Sequence, residues 1–307
     1  MADGRVAILL AIYNGAGFLA EQLDSLAAQS HDDWVLVVSC DGSTDGSRAV
    51  VERFAAAHPG RVAAIVEGPR RGFAQNFLAL LDRVPEDAGF IAFCDQDDVW
   101  LPQKLARQIA RLAREPAAAM VAGRTILCDA GLAEIGRSPL FARPPGFANA
   151  LVQNIGGGNT MMFNRAALVR LRRAAPHAGG IVAHDWWAYQ VLAGTGAAVI
   201  YDPEPLVLYR QHGANQIGQN ATARARARRL GQLLGGRFRG WSNRSLASLA
   251  PIRADLTAEN RALLDAFAAQ RQRGLAGRVR GIGRLGLYRQ TRPGQIALHV
   301  GFALGLI

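Results

Sequence analysis

Four short apolar runs punctuate the first hundred residues: Val6 to Ile12, Trp34 to Ser39, Val62 to Val66 and Phe90 to Cys94. Each is rich in Val, Ile, Leu or Phe and none alternates with polar residues, which is the pattern of strands covered on both faces. Between them, Phe18 to Gln29, Gly46 to His58 and Ala74 to Val84 carry apolar residues such as Leu19, Leu23 and Leu26 at the spacing of one helix face. Strand and helix alternate, which predicts an α/β fold with a Rossmann-like, mostly parallel sheet and right-handed crossovers. Ligands of such sheets bind in a crevice at the carboxyl ends of the strands, so polar clusters directly after a strand are where chemistry is expected. Beyond Pro102 a helix is predicted to about Arg114. A looser stretch follows through Pro144, Pro145 and the triplet Gly156 to Gly158, and then a strand over Thr160 to Phe163.

Composition adds a division of labour. Half of the 307 residues (50%) are hydrophobic and 19% are charged, enough to bury a core. The net charge of +11 is unevenly spread, because residues 221–307 hold 16 arginines against three acids while the first 220 hold 19 basic and 21 acidic residues. This predicts a boundary near residue 218, with an α/β domain over 1–218 followed by a helical, Arg-rich region over 219–307. In that region Leu230, Leu233, Leu234, Phe238 and Trp241 share one helical face beside arginines, which suits an anionic membrane surface. The same stripe could instead pack on the catalytic domain beneath solvated arginines. Nucleic-acid binding is disfavoured by the few aromatics and the lack of a module pattern. Gln295 to Ile307 is apolar but broken by His299 and shorter than the roughly 20 residues that span a bilayer, so it can lie on a membrane but not cross it. Val6 to Tyr13 has no basic leader and reads as a buried strand, not a signal peptide. Three cysteines, Cys40, Cys94 and Cys128, are an odd number at wide gaps, which points to neither a zinc knuckle nor a disulfide framework. A cytoplasmic location, peripheral at the inner face of the cytoplasmic membrane, is the expectation.

Four polar clusters follow apolar runs or open helices. Cys40-Asp41-Gly42-Ser43-Thr44-Asp45 contains a turn pair and good helix caps, and equally places Asp41 where a carboxylate could accept the imide N–H of uracil or thymine. Asp95-Gln96-Asp97-Asp98 sets three carboxylates in four positions after a buried run. A solvated turn explains one acid; three repel one another unless a cation such as Mg²⁺ or Mn²⁺, with diphosphate oxygens, neutralises them. His184-Asp185-Trp186-Trp187 opens a helical pattern, so that Asp185 is either an N-cap or a partly desolvated general base beside indoles that can stack on a sugar. Tyr209-Arg210-Gln211-His212-Gly213, after a strand-like Pro205 to Leu208, brings a cation and an imidazole that can hold phosphate or complete a metal shell.

These clusters, together with Ala11-Ile12-Tyr13-Asn14-Gly15 and Asn159 to Arg165, occur in an order that resembles glycosyltransferase family 2, and within it the bacterial rhamnosyltransferases of polysaccharide assembly. The resemblance covers about residues 5–218, and implies there a catalytic domain with a nucleotide-binding half (1–100) and an acceptor-binding half (101–218). It implies a GT-A nucleotide-sugar fold, a base-binding aspartate at Asp41 and a DXD motif at Asp95 and Asp97, with Asp97 the direct metal ligand. It also implies a catalytic base at Asp185. Tyr13 and Asn14 join the donor-nucleotide residues, His212 the metal shell, and Trp186, Trp187, Asp98, Trp100 and Arg210 the acceptor or sugar side. Cys40 departs from the family, which often has Asp there. The implied reaction is inverting, metal-dependent transfer of a sugar, rhamnose from dTDP-rhamnose being the family's suggestion, to a hydroxyl of a cell-surface polysaccharide or lipid-linked glycan.

Two other classes stay open at the level of the residues. A nucleotidyltransferase acting on sugar phosphates would share the sheet and the carboxylates, but calls for a basic, Gly-rich loop after the first strand, where Tyr13-Asn14-Gly15 stands without a nearby Lys or Arg. A non-enzymatic module for anionic lipid or nucleic acid would explain the basic end and leave the three acids unexplained.

Overall fold

The computed structural model of the protein describes residues 4–212 and 236–307. The expected boundary at 218, Gly213, and Leu230, Leu233 and Leu234 of the leucine stripe lie outside the described residues.

Seven strands form the main sheet: β1 (Arg5–Ile12), β2 (Trp34–Cys40), β3 (Val62–Glu67), β4 (Ala88–Cys94), β6 (Ala119–Gly123), β9 (Met162–Asn164) and β10 (Ala198–Asp202), in the order β10-β6-β9-β4-β1-β2-β3. The helices α1 (Ala16–Ala27), α2 (Ser47–Ala57) and α3 (Phe73–Leu81) connect the first four strands, as the apolar periodicity predicts. β1 is parallel to both β2 and β4. β1 and β2 are covered on both faces and read as unbroken apolar runs; β3 is an edge strand and only half-buried, contrary to the expectation of two covered faces. After α4 (Lys104–Leu112), β6 and β10 pair in parallel, while β9 runs antiparallel to both β4 and β6. That reversal positions the site: the Gly156–Asn159 segment leading into β9 arrives at the same edge of the sheet where β4 ends and Asp95 begins.

A small second sheet of β5 (Val99–Trp100), β7 (Ile126–Cys128), β8 (Glu134–Arg137) and β11 (Val207–Arg210) closes one side in the order β5-β11-β7-β8. Tyr209 and Arg210 therefore belong to a strand and do not follow one. Three helices, α5 (Phe147–Ala150), α6 (Arg165–Ala174) and α7 (His184–Gly194), cover the sheet near β9. Asn164 caps α6 by accepting the Ala167 amide at 3.0 Å.

The C-terminal region forms α8 (Arg237–Leu249), α9 (Ala258–Arg271), α10 (Leu275–Ile282) and α11 (Arg292–Ala303). Leu249, Leu264, Phe267, Leu298 and Phe302 belong to the same apolar cluster as Phe93, Phe163 and Leu192. Polar contacts reinforce this packing. The Gln190 amide on α7 donates to Ser245 on α8 at 3.0 Å, and Asn260 on α9 donates to the carbonyls of Ala193 and Gly194, each at 3.0 Å, capping the end of α7. Because Phe302 is 1% exposed within that shared core, Phe302→Ala is expected to cost about 3–5 kcal/mol, seen as a lowered thermal midpoint of a single transition. An unchanged midpoint would mean that α11 is not part of the core.

Candidate active site

Three loops meet above the carboxyl ends of β1, β2 and β4. The register pairs Ile12 with Cys40 and Leu10 with Cys94, so the strands end nearly level beside the point where the strand order diverges from β1. The loops are laced together by small polar residues of the DGSTD string and by Ser47 just after it. The Ser43 hydroxyl accepts the Asn14 amide (3.1 Å), Ser47 accepts that of Gly15 (2.9 Å), Asp45 accepts that of Ala16 (2.9 Å), and the Asn14 side chain accepts the Thr44 amide (2.9 Å). Asn14 sits at φ 47°, a left-handed conformation that Asn tolerates. Gln96 clamps Tyr13 from the other side, its carbonyl accepting the Tyr13 amide at 2.7 Å and its own amide donating to the Tyr13 carbonyl at 3.0 Å. Burial raises the pKa of Asp45, but the Ser47 hydroxyl and the amides of Ala16 and Ser47 outweigh it and hold the carboxyl below its usual range.

Asp41 borders the resulting cleft and is 8% exposed. Its carboxylate accepts the amides of Arg70 at 2.5 Å and Gly72 at 3.2 Å, which shapes the lead-in to α3. Each carboxylate oxygen keeps lone-pair capacity for a further donor.

The acidic floor is electrostatically crowded. Burial, and then the charges of Asp98, Asp97 and Asp185, push the Asp95 carboxyl well above the ordinary range. Burial and Asp97 raise Asp98 to about 8, against opposing hydrogen bonds from the Asn159 side chain and the Arg210 amide (3.1 Å). Asp97 Oδ2 and His212 Nε2 lie 2.8 Å apart, and both residues line the cleft with Asp95. Among the described residues no three His, Cys, Asp or Glu side chains converge into a ready metal cage. A divalent ion held by one or two carboxylates and completed by phosphate oxygens needs no such cage, so Asp97, His212 and Asp95 fit it as an incomplete donor set.

Across the cleft, Asp185 is in the first turn of α7. Its Oδ1 accepts the Trp186 amide at 2.6 Å and its Oδ2 the Gly158 amide at 3.1 Å. Burial raises its pKa to about 6 despite those hydrogen bonds and one from the Asn154 side chain. The neighbouring His184 stacks on Phe77 with ring centroids 3.8 Å apart, and burial drops its pKa to about 3, so the imidazole is neutral. The cleft has a volume of about 1280 Å³, room for a nucleotide sugar and part of an acceptor.

Tyr13, Asn14, Asp41, Asp95, Asp97, His212, Asp185 and Trp186 thus border one cleft. Four residues expected on the sugar side do not reach it. Trp187 is 2% exposed, because one step along α7 turns it from Trp186 into the core. Trp100, in the buried strand β5, faces the Lys104 ammonium 3.5 Å from its ring centre. Asp98 is fully buried beneath Asn159. Arg210 is 2% exposed and spends its guanidinium on the Asp97 carbonyl (3.0 Å), the Ala130 carbonyl and Glu21, so it braces the acidic loop from behind. Of the two readings open for Phe238 and Trp241, a membrane face or packing on the preceding domain, the structure has the second: both line the cleft, with Trp241 edge-on to Trp186 at 5.9 Å. Gln96, Asn154 and Asn159 were missed; uncharged amides leave no pattern in a sequence, although Gln96 stands inside the acidic string.

Residues 7–174 match the profile of Glycosyl transferase family 2. A dTDP-rhamnosyl transferase, RfbG of Shigella flexneri, is 27% identical over 260 residues, covering 80% of this chain and 85% of that protein. Two solved structures share the fold. A mannosyltransferase from Pyrobaculum calidifontis in complex with GDP-Man and Mn²⁺ is 21% identical, covers 98% of this chain and 85% of its own, and has a TM-score of 0.54. TarS residues 1–349 of S. aureus in complex with UDP-GlcNAc is 14% identical, covers 86% and 87%, and has a TM-score of 0.56. The α/β, mostly parallel sheet expected from the strand and helix pattern and the GT-A fold implied by the resemblance are both observed.

Gly158 marks how tightly the site is assembled, since a Cβ there would lie 2.4 Å from His184 Nε2. Gly158→Ala is expected to lower stability by about 1–3 kcal/mol in thermal unfolding, because the ring is wedged against Phe77 and has nowhere to retreat. A midpoint equal to the parent's would contradict this packing.

Proposed function

The chain belongs to glycosyl transferase family 2, and from that premise we propose that it moves a sugar from a nucleoside-diphosphate donor to a hydroxyl of a polysaccharide or lipid-linked glycan, with inversion at the anomeric carbon. The observation that carries this reading is that one cleft is bordered both by the acidic floor at Asp95 and Asp97 and by Asp185, a carboxyl held by two backbone amides at the start of α7.

In this reading the donor's base lies toward Asp41, its ribose and diphosphate pass Tyr13 and Asn14, and the diphosphate meets Asp95 and Asp97. Mg²⁺ or Mn²⁺ would be held by Asp97, with His212 and Asp95 beside it, and would supply Lewis-acid stabilisation of charge on the departing phosphate. Asp185 is the general base. The amides of Trp186 and Gly158 fix its orientation and leave lone pairs to accept the proton of an acceptor hydroxyl. As the acceptor oxygen attacks the anomeric carbon, its proton passes to Asp185 while the bond to the diphosphate breaks, so one displacement inverts the centre. Trp186, Trp241 and Phe238 form the aromatic wall on that side, a surface suited to the apolar face of a sugar. Rhamnose from a dTDP donor is the specific substrate we favour, supported by the similarity to RfbG over most of both chains.

Donor class is tested by thermal shift with UDP-, dTDP- and GDP-sugars in the presence of Mn²⁺. A donor at about 100 times its dissociation constant adds roughly 2.7 kcal/mol of stability, and the dTDP-sugar is expected to give the largest shift. No shift with any nucleotide sugar would overturn the assignment. The base is tested by pH. Only ionised Asp185 accepts a proton, so kcat/KM is expected to rise with pH through about 6 and then level off. Asp185→Asn should remove that limb and lower transfer by about 10²-fold or more while leaving donor binding nearly intact. Normal turnover in the Asn variant would remove Asp185 from the role.

A further inference from the structure

The last two helices carry aliphatic side chains on the face turned away from the core. On α11, Leu298 and Phe302 point inward, at 0% and 1% exposure, while Ile296, Val300 and Leu304 beyond the helix end are 66%, 50% and 55% exposed. Their spacing of four residues makes one outward stripe, headed by Arg292. The packed neighbour α10 adds Leu275 and Val279, at 57% and 53% exposure and again one helical turn apart. The two helices are locked together where Arg278 Nε donates to the Ala303 carbonyl at 2.9 Å. Half of the ten large hydrophobic side chains exposed among the described residues lie on this one α-helical pair or at its end, which scattered surface leucines would not produce.

Charge says what covers this face. From Ala266 to Ile307 there are seven arginines and no acid. Among the described residues, Arg273, Arg278, Arg280, Arg284 and Arg292 take part in no ion pair with a carboxylate. Arginines flanking exposed aliphatics are complementary to an anionic headgroup layer with acyl chains beneath it. A nucleic acid would match the charge but leave the aliphatic stripe in water, and the face offers no aromatic stacking platform.

We propose that α10 and α11 form a docking face for an anionic lipid bilayer, with Leu275, Val279, Ile296, Val300 and Leu304 entering the interface and the arginines resting on headgroups. The face belongs to the same packed unit as the cleft: Arg289, three residues before Arg292, lines the cleft. Docking would therefore hold the cleft close to the lipid surface. The proposal goes beyond sugar transfer and is measured without turnover.

The test is co-sedimentation of the full chain with vesicles of phosphatidylcholine alone and of phosphatidylcholine mixed with phosphatidylglycerol. Binding is expected only to the anionic vesicles, and Ile296→Asp with Val300→Asp should weaken it at least roughly tenfold, both positions being exposed enough for the fold to persist. Circular dichroism and donor-induced thermal shift of the double variant should match the parent. Absence of binding to anionic vesicles, equal binding to neutral ones, or anionic binding that the double variant retains in full would each overturn the proposal. None of those results bears on the glycosyl-transfer reading.

Discussion

The structure is organised around a repulsion. Four carboxyl groups, Asp95, Asp97, Asp98 and Asp185, are brought to one edge of a buried sheet, and Asp95 is raised by burial and by the charges of the other three. A fold gains nothing in stability from gathering like charges where water is scarce. The surrounding elements show how it is tolerated: Asn159 and the Arg210 amide hydrogen-bond Asp98, His212 meets Asp97, and the Gly158 and Trp186 amides hold Asp185. In the proposed reading, the cleft floor these contacts leave is where a cation and a diphosphate would meet.

Topology makes the gathering possible. Parallel β1, β2 and β4 bring their following loops to one edge, and antiparallel β9 delivers the glycine segment to the same edge from the opposite direction. The helix α8 then adds Phe238 and Trp241 to the lining of the cleft, about two hundred positions along the chain from Asp41. Packing of the C-terminal helices into the shared core gives the basic end of the chain two surfaces. One borders the cleft and the other faces outward with its aliphatic stripe.

Much of this was legible in the sequence, for physical reasons that also mark where legibility stops. Strands β1, β2 and β4 announce themselves because burial on both faces demands unbroken apolar runs, and the carboxylates after them stand out because such charges rarely follow a buried strand without a purpose. Periodicity carries no direction, so the antiparallel run of β9 could not be read from it. Nor could it separate Trp186 from Trp187, since adjacent residues at the start of a helix differ only in which way the turn carries them. The DGSTD string shows the limit from the other side. Its Ser43 and Thr44 have the chemistry of helix caps, yet Gly46 precedes α2 without a side-chain cap; Ser43 and Asp45 instead tie the loops together, and Asp41 borders the cleft. The face of Phe238 and Trp241 stayed open between membrane and protein because amphipathic spacing identifies an apolar side without saying what it meets.

The central claim is that the acidic floor holds a divalent ion between protein and diphosphate. Isothermal titration of dTDP and UDP into the parent protein and Asp97→Ala, with Mn²⁺ and with a chelator, measures it most directly. The account predicts nucleotide binding that requires Mn²⁺ in the parent and is lost in Asp97→Ala under either condition. Binding of equal strength in both proteins with Mn²⁺ present would contradict it.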